Sequence, residues 1–165
     1  DLLLLGTEVS GSCQRVDGDP HHNKGLIGYI LDGKNRAIVV TDESGRIVAR
    51  SLIRLLWDGT KKQPVLLQER FYGDSKFNSV VRQMCIKRAK MLKIPLVIAV
   101  GKHELNSANL YPNPLEALAS SIPWEYADSA GGNLEPPYSV KNCEIIYDDD
   151  LKSMTELLPL GLYLL

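Results

Sequence analysis

Three β-type segments joined by turns too short for a crossover leave this chain little choice of fold. Ala37 to Thr41 is a β-branched run, Asp42-Glu43-Ser44-Gly45 is a turn, and Arg46 to Trp57 is a long second strand. Asp58-Gly59-Thr60-Lys61-Lys62 then turns the chain into a third strand, Pro64 to Tyr72. Strands so closely joined must run antiparallel. By alternation Ile47, Ala49, Ser51, Ile53, Leu55 and Trp57 share one face of the second strand; Arg50 and Arg54 fall on the other, among Val48, Leu52 and Leu56. Ser75 is placed to cap a helix from Lys76 to Lys93, with Phe77, Val80, Val81, Met84, Cys85, Ala89 and Leu92 at the 3.6-residue period. Lys93-Ile94-Pro95 closes that helix, and Leu96 to Val100 is short and apolar on both faces. Strand, helix and buried strand in this order predict a parallel crossover inside a mixed sheet.

The flanks are less regular. Leu2 to Val9 reads as a buried strand, Ser10 to Pro20 as a loop, and Asn23 to Leu31 as a helix closed by Asp32-Gly33. Beyond Val100 the pattern predicts a short helix at Pro114 to Ser120, strands at Trp124 to Ala127 and Tyr138 to Tyr147, and a short helix ending near Pro159. The fold class is therefore α/β, an α+β mixed sheet of about seven mostly antiparallel strands with one long crossover helix. The 165 residues are 44% hydrophobic and 24% charged, which suits one domain over residues 1–150 and excludes a disordered, collagenous or disulfide-scaffold chain. Residues 151–165 form an apolar C-terminal tail, and with Asp1 in place of an initiator Met they suggest a piece of a longer chain. Nineteen Lys and Arg against twenty Asp and Glu argue against a uniformly basic nucleic-acid binder. No apolar run approaches the ~20 residues of a membrane span. Cys13, Cys85 and Cys143 have no Cys-x-x-Cys spacing, which points to a reducing, intracellular and cytoplasmic setting.

The hairpin AIVVTDESGRIVARSLIRLLW, the strand PVLLQERFY and the segment FNSVVRQMCIKRAKMLKIPLVIAV, roughly Ala37 to Val100, resemble the GNAT superfamily of N-acetyltransferases in the order of their elements. The resemblance implies a splayed strand pair before and after the long helix, with acetyl-CoA or another acyl-CoA in the gap. Its pyrophosphate would sit on amides at the helix start, around Tyr72, Gly73, Asp74 and Ser75. It also implies Glu69 as general base and Tyr126, near the end of the penultimate strand, as general acid, with a protein or small-molecule amine as acceptor. The stretch Arg70-Phe71-Tyr72-Gly73-Asp74-Ser75-Lys76-Phe77 departs from the family's (Arg/Gln)-x-x-Gly-x-(Gly/Ala) loop. Gly73 alone is in keeping, and Asp74 sets a negative charge where the pyrophosphate would lie.

Other residues support other readings. Glu69 equally suits an ion pair with Arg50 or Arg54 on the neighbouring strand. Gly11-Ser12-Cys13-Gln14 superficially resembles the nucleophile region of papain-type proteases; Cys13 as nucleophile and His103 as base, with Glu104 or Asn106 orienting it, would make a thiol hydrolase. Cys13 packed as a small hydrophobe is the plain alternative. His21 and His22 with Asp17, Asp19 and Cys13 gather potential metal ligands, but they lack a second ligand group at metal-site spacing and read better as a capping loop; no metal is expected. Lys76, Arg82, Lys87, Arg88, Lys90 and Lys93 make the helix basic. With Arg50 and Arg54 they would attract the phosphates of CoA or of nucleic acid; alone they are a solvated outer face. A third reading is a non-enzymatic interaction module within a larger protein.

Overall fold

A computed structural model describes residues 4–20, 26, 29, 31–99, 109–117, 125–127, 132–134, 139–140, 143–146 and 161–164. The meander is present as predicted: β1 (Asn35–Thr41), β2 (Ile47–Asp58) and β3 (Gln63–Gly73) pair antiparallel in turn. A 3-10 turn (Ser75–Phe77) leads into α1 (Asn78–Leu92), and β4 (Leu96–Ala99) returns parallel to β3. The chain is thus a mixed α/β fold with one long helix crossing between parallel neighbours.

The expected Ser75 cap changes: Asp74 caps the 3-10 turn, and Phe77, the N-cap of α1, makes no side-chain capping bond. Asp74, not Ser75, lends its carboxylate to the Lys76 N–H at 3.1 Å. At the other end Lys93 takes a left-handed conformation (φ 57°), and its N–H returns to carbonyls of the last turn. Val81, Cys85, Ile86 and Ala89 are its buried residues, while Leu92 is 43% exposed.

Shorter strands complete the sheet. β5 (Leu115–Ala117) pairs with β2 and with β8 (Ser139–Val140), and β9 (Cys143–Ile145) pairs with β4. β6 (Glu125–Ala127) and β7 (Gly132–Leu134) form a separate two-stranded hairpin. At the far edge β10 (Gly161–Leu164) runs antiparallel to β1. Three expectations change. Residues 115–117 are strand rather than helix, because they complete the β2 edge through Leu56 and Trp57. The predicted strand at 138–147 is two short strands with different partners. Residues 4–10 are turns rather than strand.

Strict alternation also fails twice, at β-bulges. Val40 pairs with Ala49 but Thr41 with Ile47, so Val48 is the extra residue. Ile47 is thereby turned to the face away from α1, where it packs with Ala37, Val39 and Leu52. Further on, Ser51 pairs with Phe71 but Ile53 with Gln68, which places Glu69 and Arg70 together opposite Leu52.

The sheet buries both faces. Ile38, Val40, Ala49, Ile53 and Leu66 pack against α1. The opposite face holds two clusters: Leu5, Val9, Leu26 and Tyr29 cover Val39, Leu52 and Tyr72, while Tyr111, Leu115, Val140 and Cys143 cover Leu56, Val65, Leu67 and Val97.

Candidate functional site

The β3–β4 ladder covers only Leu66–Gln68 against Leu96–Ile98. Beyond it β3 carries its bulge at Glu69–Arg70 and runs on to Gly73, bonded to β2 on one side. Among the described residues no strand pairs with its other side. The described ladder between the two parallel strands therefore ends at Gln68, five residues before the end of β3. Gln68 is itself 2% exposed, and its Oε1 has no hydrogen-bond partner among the described residues. An acceptor buried without a donor is costly.

Glu69 lies directly beyond the end of this ladder. Its Oε1 accepts from Arg54 Nε at 2.9 Å, and both side chains are at most 2% exposed. Alternation from Leu67, which pairs with Arg54, already sets Glu69 on the face away from α1, and the bulge after it turns Phe71 towards the helix. Arg50 lies nearby on the same face, its guanidinium 4.4 Å from the Tyr72 ring centroid. Its Nε donates to the Leu5 carbonyl at 2.7 Å and its terminal nitrogen to Ser12 Oγ. Arg50 and Arg54 are therefore buried on the face opposite α1 and do not join the helix's cations in one basic surface.

Arg50 pins the N-terminal segment to the sheet. Ser12 Oγ also accepts from the Gln14 N–H at 3.1 Å, and Gln14 Nε2 donates to Tyr29 Oη at 2.7 Å. Gly6 is necessary for this seat, since a Cβ there would lie 1.9 Å from the Gln14 carbonyl oxygen. Cys13 packs against the same cluster, half-buried and unbridged. Burial pushes the thiols of Cys85 and Cys143 up to about 12, leaving Cys13 as the accessible thiol. Its predicted partner His103 lies outside the described residues, as do Glu104, Asn106, His21 and His22.

At the end of β3, Tyr72 is buried beneath Arg50, whereas Gly73, Asp74 and Ser75 are exposed. Gly73 has φ 122° and rests on the β2 backbone. The Asp74 carboxylate is held below its ordinary range by hydrogen bonds from the Lys76 side chain and N–H. The backbone of Tyr126 is in β6, paired with Asn133 and apart from the main sheet. Among the described residues no three His, Cys, Asp or Glu side chains gather as a metal site, and no helix is long and apolar enough to cross a membrane.

One polar cluster had no counterpart in the sequence reading. Asp58, the last residue of β2, accepts from the N–H groups of Thr60 and Lys61, from Tyr111 Oη at 2.7 Å and from Asn113 Nδ2. Burial alone would raise this carboxyl, but the Lys61, Tyr111, Asn113 and Thr60 donors outweigh it and bring it to about 2. The Asp-Gly-Thr-Lys turn was its only signal. Because the folded-state value lies below the unfolded one, the stability this carboxylate contributes is full above the unfolded value near 4 and is lost as pH falls through about 2. Asp58→Asn should therefore flatten the acid limb of a urea-denaturation series between pH 4 and pH 2 by about 2 kcal/mol. An unchanged limb would contradict this assignment.

Comparisons with protein-family models, with curated proteins and with solved structures give no match.

Proposed function

We propose that this chain is a divergent GNAT-like domain that takes the acyl-pantetheine arm of an acyl-CoA where β3 and β4 part. The observation that carries the reading is the short β3–β4 ladder: β3 continues past Gln68 with no described strand paired on the side away from β2, ahead of a long helix. An extended pantetheine arm can pair with such an edge as an added strand does. The buried Gln68 Oε1 suits one of its amide N–H groups. The element order of the meander, crossover helix and parallel strand agrees with the same reading.

The pyrophosphate end fits less well. The Lys76 amide is already occupied by the Asp74 carboxylate, whose charge opposes a phosphate at the helix start. Acyl transfer to an amine is the chemistry that the GNAT resemblance attaches to such a cleft. Glu69 would serve as its base only after parting from Arg54, so binding is the firmer half of the proposal.

Calorimetric titration should give a Kd for acetyl-CoA in the millimolar range or tighter. Asp74→Asn should tighten it about five-fold by freeing the helix start of a like charge. Gln68→Leu should weaken it about ten-fold by removing the acceptor. Absence of binding to both the parent chain and the Asp74→Asn variant would overturn the proposal. A second observation favours a thiol reading: Cys13 alone is accessible, so iodoacetamide should label it well ahead of Cys85 and Cys143, and hydrolysis would then require His103.

A further inference from the structure

A cavity of about 300 Å³ opens at the other end of the helix, between the last turns of α1 and the beginnings of β1 and β3. Its apolar wall is aliphatic, with Ile53, Leu55, Leu66 and Ile94 among the lining residues. Around this wall stand Lys34, Arg36 and Arg88, and no carboxylate is among the described lining residues. The three cations are not equivalent. Lys34 is held by Asp32 at 2.6 Å, and Arg36 spends one nitrogen on the Asn35 carbonyl at 2.7 Å. Arg88 is half-buried and has no ion-pair partner among the described residues. The adjacent end of α1 presents carbonyls rather than amides, so an anion here must be held by these side chains, not by the helix.

From this arrangement we infer that the cavity binds a medium-chain aliphatic carboxylate, with Arg88 taking the head group, Arg36 assisting, and the chain on the aliphatic wall. A guanidinium matches a carboxylate in two parallel hydrogen bonds. About 300 Å³ lies at the small end of the range for ligand pockets, which suits a chain of medium length; aliphatic surface without an aromatic favours a flexible alkyl chain over a stacked ring. A bare phosphate would leave the apolar wall unused, and a neutral alcohol would leave Arg88 unanswered. The site is separate from the β3–β4 parting, which lies beyond Gln68 near the start of α1, and it does not depend on acyl-CoA binding there.

Titrating the intact chain with sodium octanoate and following its amide resonances tests this inference. Binding in the millimolar range or tighter is expected, with shifts concentrated at 34–36, 53–55 and 88–94. Octanol should bind at least about ten-fold more weakly, and inorganic phosphate should leave these resonances unmoved. Arg88→Gln should lower octanoate affinity about ten-fold with an unchanged melting temperature, and Arg36→Gln should lower it by a smaller factor. Absence of octanoate shifts, equal binding of octanol, or an undiminished affinity in a folded Arg88→Gln variant would each overturn the assignment.

Discussion

Glu69→Leu should destabilise the fold by about 3–5 kcal/mol, and Arg54→Met should cost a similar amount, because each removes one member of a buried ion pair and leaves the other charge without its counter-charge at 2.9 Å. Both side chains are at most 2% exposed and meet at 2.9 Å. The double variant, with two apolar groups of comparable volume, should recover most of the loss and fall within about 1 kcal/mol of the parent. Urea denaturation of the four proteins closes the cycle. Single losses below about 1 kcal/mol would mean that the pair is solvated, and the picture of a closed polar layer beneath the N-terminal segment would fail. The cycle also separates two roles for Glu69: a structural partner moves stability, whereas a base would affect turnover in variants that remain folded.

The second large effect is expected at Gly73. Its φ of 122° is a conformation L side chains rarely adopt, and a Cβ there would lie 2.4 Å from the Val48 carbonyl oxygen and 2.6 Å from Ala49 Cα. Those atoms are backbone at the β2 bulge, so they cannot rotate away. Gly73→Ala should cost about 2–4 kcal/mol and disturb the end of β3. Gly45→Ala in the β1–β2 turn is the proper control. Gly45 has φ 83° but open space around it, so it should cost about 1 kcal/mol from the dihedral alone. Equal losses at the two sites would show that close approach adds nothing at Gly73.

The meander, the long helix and the apolar strand after it were legible in the sequence, because each rests on local periodicity and short turns. The bulges were not. An alternating pattern has no mark for a residue inserted at Val48 or a pair accommodated at Glu69–Arg70, yet these turn Ile47 and Phe71 to opposite faces from those alternation assigns. The same limit hid the burial of Arg50 and Arg54, whose partners come from other segments: Leu5 and Ser12 for one, Glu69 for the other. Residues 115–117 and 161–164 are strands because an existing edge completes them, and their own propensity does not announce it. At the candidate site the sequence located the β3 end and flagged Asp74, and it offered the Glu69 ion pair as an alternative. Gln68 went unnoticed because a polar residue in a strand reads as solvent-facing until its neighbours are known. Arg88 lay within the basic helix pattern, but nothing local set it apart from Lys87 or Lys90.

The most direct test of the acyl-CoA reading is to locate the ligand on the chain. Amide-shift mapping during titration with acetyl-CoA should perturb residues 68–77 at the end of β3 and the start of α1, together with Ile98 and Ala99 at the end of β4. Perturbation confined to other regions, or none at saturating ligand, would contradict the account.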